Sequence, residues 1–102
     1  MNLERLYEME NKHREEILTL LSSEDELFLK NICEKYFDRE KNTWKIFNKD
    51  DCKLGPFYDH EGILYNLIRA GIINHEYGYA YGISWFSVNS EYRTFLKNKY
   101  DL

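Results

Sequence analysis

The stretch 59–88 constrains this chain more tightly than any other. Ile63, Leu64, Leu67 and Ile68 recur at three- and four-residue spacing, which lays one apolar stripe along a helix. Asp59 stands where a side chain caps the start of that helix. Gly71 stands where a left-handed C′ residue belongs, and the apolar Ile72 and Ile73 that follow suit a Schellman stop. Residues 72–76 and 81–88 then read as two strands joined by the glycine-containing turn Tyr77-Gly78-Tyr79-Ala80. The alternation slips at Ser84-Trp85, which predicts a bulge. A helix that stops on glycine and runs into a hairpin is the pattern of a winged helix.

The rest of the chain supplies the elements such a unit needs. Leu6, Met9, His13, Ile17 and Leu20 form a helical stripe over 2–21, with Glu8–Lys12 and Glu10–Arg14 as i,i+4 pairs on the wet face and His13 expected as a packing histidine. Ser22-Ser23 interrupts it, and Ser23 with Glu26 reads as a capping box that starts a second helix running to about Phe37. In that helix Phe28/Ile32/Tyr36 and Leu29/Cys33/Phe37 form the buried pairs. After a polar turn at 38–42, Thr43-Trp44-Lys45-Ile46-Phe47 is β-branched and aromatic and reads as one strand. Asn89 or Ser90 caps a last helix with Tyr92, Phe95 and Leu96 facing inward. Since a lone hairpin is marginal, the first strand is expected to join it in a three-stranded antiparallel sheet. The expected fold is α+β: a winged-helix-like domain over 22–102 with a small three-stranded antiparallel sheet, preceded by an amphipathic N-terminal helix over 1–21.

From Leu21 onward the chain resembles the winged-helix-like C-terminal domain of phage superinfection exclusion protein B. The matching segments are Leu21-Ser22-Ser23-Glu24-Asp25-Glu26, Gly71-Ile72-Ile73 and Phe86-Ser87-Val88-Asn89-Ser90-Glu91-Tyr92, with Phe95-Leu96 after them. The resemblance implies a phage or mobile-element context and a role in blocking a competing phage. Members of that family carry membrane segments ahead of this domain, whereas here a charged helix stands in that position, so it is the domain fold that carries over.

Charge and composition narrow the function. The 102 residues carry a net charge of −4, and the basic excess is confined to Arg39, Lys41, Lys45, Lys49 and Lys53. Residues 1–16 lack an apolar run of signal-peptide type, and no apolar run is long enough to span a bilayer. The expectation is a cytoplasmic protein whose two cysteines, Cys33 and Cys52, stay reduced. Catalytic patterns are missing. His13, His60 and His75 have no metal-ligand spacing, so no metal or other cofactor is expected. Cys52 lies beside Asp50 and Asp51, which disfavour a thiolate. The acidic clusters Glu15-Glu16, Glu24-Asp25-Glu26 and Asp50-Asp51 sit at helix starts and loops rather than in an apolar cleft. Gly78-Tyr79-Ala80-Tyr81-Gly82 lies inside a hairpin and opens no phosphate-binding helix.

Two binding functions remain. A protein contact would use the aromatic wing, Tyr77, Tyr79, Tyr81 and Trp85, together with Tyr65 and Arg69 on the preceding helix, because such side chains anchor interfaces. The partner can be another protein or a second copy, with 3–21 forming a homodimer strap. The alternative is a winged helix-turn-helix DNA-binding regulator using Asn66 and Arg69 for bases and Lys41, Lys45, Lys49 and Lys53 for phosphates. The acidic balance, and a wing without Lys or Arg, rank DNA second.

Overall fold

The computed structural model describes residues 3–48, 60–76 and 85–102. In chain order these form α1 (Leu3–Thr19), α2 (Ser23–Tyr36), β1 (Phe37–Asp38), β2 (Thr43–Trp44), β3 (Phe47–Asn48), α3 (His60–Arg69), β4 (Ile73–Glu76), β5 (Trp85–Val88) and α4 (Ser90–Lys99). The architecture is α+β, as expected. One antiparallel sheet is the pair β1-β2, and the other has the order β3-β5-β4. No helix among the described residues is long and apolar enough to cross a membrane.

The start of α2 is fixed by a reciprocal pair of hydrogen bonds. The Ser22 hydroxyl accepts from the Asp25 N–H at 3.1 Å, and the Asp25 carboxylate accepts from the Ser22 N–H at 3.3 Å. This capping box stands one residue ahead of the expected Ser23/Glu26 pair. Asp25 is buried, and the Asn66 amide donates to it at 3.4 Å, so α3 holds the capping carboxylate in place. Phe28, Leu29, Ile32, Cys33 and Tyr36 fill the inner face of α2, which ends at Tyr36 rather than Phe37.

The single strand expected over 43–47 is divided. Thr43–Trp44 pairs with Phe37–Asp38 around a turn in which Asn42 takes φ 53°, and Phe47–Asn48 leaves to pair with β5. The cause is two competing sets of aromatic partners. Trp44 packs on Phe37 at 4.9 Å between ring centroids, whereas Phe47 sits 4.8 Å from Tyr36 and 6.0 Å from Phe86. The chain bends between them, and Ile46 faces solvent.

The C-terminal end of α3 follows the sequence expectation. Gly71 adopts φ 77°, its N–H donates to the Ile68 carbonyl, and the Ile72 N–H donates to the Leu67 carbonyl. These are the two bonds of a Schellman stop, and Leu67 and Ile72 are both fully buried beside it. The chain then enters β4, whose four residues pair one-to-one with β5, from Ile73↔Val88 to Glu76↔Trp85. The expected hairpin pairing and three-stranded sheet are thus present. The turn at 77–80, the slip at Ser84 and the Asp59 cap lie outside the described residues.

β5 is the central strand and is covered on both faces. Phe86 and Val88 join the core, while the buried Ser87 hydroxyl donates to the Glu76 carboxylate. Asn89 caps α4 by accepting from the Glu91 N–H at 3.1 Å. It also donates its side-chain amide to the Gly71 carbonyl and its backbone N–H to the Ile72 carbonyl, each at 2.8 Å. The α3–β4 turn and the start of α4 are therefore locked together, with Tyr92 and Leu96 buried behind them.

Candidate functional site

α1 does not bury the stripe that its periodicity advertises. Leu6, Met9 and Leu20 are exposed, the last two at 60% and 80%, and His13 is exposed rather than packed. The side chains that attach α1 to the domain are Asn11, Arg14 and Leu18, with Ile17 at the margin. At 100° per residue that attached face is rotated about a third of a turn from the apolar stripe. Arg14 is the reason for the rotation. Its guanidinium lies 5.8 Å from the Tyr92 ring centroid, and it keeps the expected partner Glu10 at 3.9 Å. Glu15 adds an ion pair to Lys99 of α4 at 3.5 Å. Over residues 3–10 every described side chain is exposed.

The rotation leaves a groove beside α1. One wall is Leu6, Met9, Glu10, His13, Arg14 and Ile17; the other is the locked turn, Ala70-Gly71, with Asn89, Glu91 and Tyr92. It encloses about 720 Å³ and is open to solvent along its length. Ile17 and Ala70 carry the depression on into a second one lined by Leu20, Leu21, Asn66 and Arg69. There Arg69 stacks over Tyr65 at 4.7 Å, and both side chains are exposed. Two of the residues expected to bind protein, Tyr65 and Arg69, thus lie at the far end of a groove whose long wall falls within 3–21, the stretch expected as a homodimer strap. Trp85 is half-buried at the end of β5, opposite Glu76 and Asn48. Tyr77, Tyr79 and Tyr81 lie outside the described residues.

The signal that would have found the long wall is Leu18. It is buried, yet it lies roughly 100° from Ile17 on the helix. An apolar residue that far off the stripe marks a second face, and a helix with two apolar faces has one to spare.

The residues assigned to DNA do not form one patch. Asn66 and Arg69 sit beside the N-terminal end of α2, where Asn66 is committed to Asp25. Lys41 and Lys45 are exposed on the β1–β2 hairpin that follows the C-terminal end of α2, and Lys45 faces Asp38 at 3.9 Å. Asp25 and Tyr36 are eleven helical residues apart, so roughly 16 Å separates the two groups. Lys49 and Lys53 lie outside the described residues.

No reactive group stands out among the described residues. Burial, with the Glu34 charge beside it, pushes the Cys33 thiol up from 9.0 to about 12, far from a nucleophile. Burial likewise raises Tyr100, helped by the adjacent Cys33 and Glu26, and its hydroxyl has no hydrogen-bond partner. His75 stacks on Phe86 at 5.0 Å. No three His, Cys, Asp or Glu side chains among the described residues gather as metal ligands would. No family model, curated protein or solved structure matches this chain.

Proposed function

We propose that the protein is a non-catalytic protein-interaction module of winged-helix type, and that its docking surface is the groove between α1 and the α3–β4 turn. The observation that carries this reading is the exposed side chains Leu6, Met9 and Leu20 along two adjoining depressions, whose lining also holds the charged Glu10, Arg14 and Glu91. Grooves of this form receive one apolar face of an amphipathic helix. Tyr65 and Arg69 at the open end supply side chains of the kind that anchor interfaces.

The winged-helix reading is supported by the order α2, three short strands, α3, the antiparallel pair β4–β5 and α4, with β3 completing the three-stranded sheet. The resemblance to the superinfection exclusion domain extends the proposal to a cytoplasmic, phage- or mobile-element-encoded role acting on a host or competing-phage component. A winged helix-turn-helix regulator is the weaker alternative. The exposed row of α3 offers Glu61, Tyr65, Asn66 and Arg69, and one of its two base-reading side chains already holds Asp25.

A fluorescent, charge-neutral amphipathic peptide with leucines at i, i+3, i+4 and i+7 tests the groove. Binding at micromolar chain, weakened about tenfold or more by Met9→Glu with Leu20→Glu, is the expected result, since two desolvated contacts would be lost. Absence of peptide binding removes the docking reading. Tight binding of a duplex DNA at physiological salt, abolished by Lys41→Glu with Lys45→Glu, replaces it with the DNA reading.

A further inference from the structure

We propose that His13 makes docking in this groove pH-dependent: the neutral imidazole admits an apolar helix face and the imidazolium excludes it. The inference rests on the docking reading above and concerns how that site is regulated.

Placement is the first argument. His13 lies four residues from both Met9 and Ile17 and lines the groove with them. At 100° per residue it falls within about 40° of Leu6, Met9, Ile17 and Leu20, at the centre of the row. A helix laid along that row covers His13 together with its apolar neighbours. His13 is exposed in the free chain, where water solvates a charge on the ring. Under an apolar face that hydration is lost, and an unpaired charge then costs far more than a neutral ring.

The second argument is what surrounds His13. On α1 its neighbours three residues away are Glu10 and Glu16. Glu10 is engaged by Arg14 at 3.9 Å, and Arg14 is a fixed positive charge on the same wall. Glu16 is exposed and lies about 60° round the helix, on the flank away from the domain. From α4 the groove receives Glu91 and Tyr92, and from the α3–β4 turn the uncharged Ala70 and Gly71. Among the described residues no ion pair engages His13. A helix between the two walls also separates it from Glu91.

The third argument is the pH range. Glutamates titrate well below neutrality and arginine stays charged. Burial raises the Tyr92 phenol further above its ordinary 10.0. Between about pH 5 and 8, His13 is therefore the side chain of this lining that changes charge.

The probe is the leucine peptide described above, with blocked ends and no titratable side chain, followed by fluorescence anisotropy from pH 5.5 to 8. The wild-type chain should bind about tenfold more weakly at pH 5.5 than at pH 7.5, the change expected when one histidine of ordinary value near 6.5 must lose its proton. His13→Gln should bind with the same affinity across the range. His13→Lys should be weak throughout, and His13→Leu tight throughout. His13 is exposed, and unchanged circular dichroism melts check each fold. By reciprocity, saturating peptide should lower the pH at which the His13 ring titrates in an NMR spectrum.

Wild-type binding that is flat with pH overturns the inference and leaves the docking reading standing. A pH dependence that survives in His13→Gln, or a His13 titration that peptide leaves unmoved, also overturns it. Absence of binding at every pH, in the wild type and in His13→Leu alike, overturns both.

Discussion

Cys33 and Tyr100 show how the interior of this small domain constrains its pH response. The thiol is raised from 9.0 to about 12 and the phenol is raised as well, in both cases chiefly by burial. Each is an acid that stays protonated longer in the folded chain than in the unfolded one. The stability it contributes is complete below the unfolded value and declines as pH climbs towards the folded value. The melting temperature should therefore hold up to about pH 9 and fall above it, which a thermal scan against pH checks. Cys33 should react with a thiol reagent only in denaturant. The Tyr100 hydroxyl, buried without a partner, is a cost rather than a tie. Tyr100→Phe should leave stability unchanged or raise it by about 1 kcal/mol, read from urea unfolding.

At the level of the elements, stops and caps were legible where one side chain decides the geometry. Gly71 is the clearest case, because the left-handed turn after α3 admits glycine with least strain. A Cβ at Gly71 would meet nothing within 4 Å, so Gly71→Ala should cost only the backbone term, about 1 kcal/mol in urea unfolding. The capping box was legible as a type but not in register. Ser22/Asp25 and Ser23/Glu26 both fit the pattern, and the choice is made by Asn66, 41 residues further on. The same holds for the strand at 43–47, where local propensity was right and the division came from Phe37 and Phe86 in different sheets. The groove was the least legible part. Periodicity located the apolar row on α1, but which face docks depends on Arg14 meeting Tyr92, a contact between residues 78 positions apart.

For the whole molecule, the aromatic column Tyr36–Phe47–Phe86 joins α2 to the three-stranded sheet. Phe47 is fully buried in it, although β3 is only two residues long. Phe47→Ala should cost about 3–5 kcal/mol, a large share of what a domain this size has. Loss of dispersion in an amide NMR spectrum would report it, together with a lowered urea midpoint. The shape also departs from a sphere. Its principal extents are 48 × 29 × 25 Å, and the radius of gyration is 14.3 Å against about 13 Å for a compact chain of this length. The strand order adds a consequence for synthesis. β5 occupies the middle of its sheet yet is the last strand to be made, so β3 and β4 have no partner until residue 88 leaves the ribosome. Until then Phe47 lacks Phe86 and Ile73 lacks Val88, the β5 residues they pair with. That interval is when a holding chaperone, or premature contact with another nascent chain, decides how much folded protein is obtained.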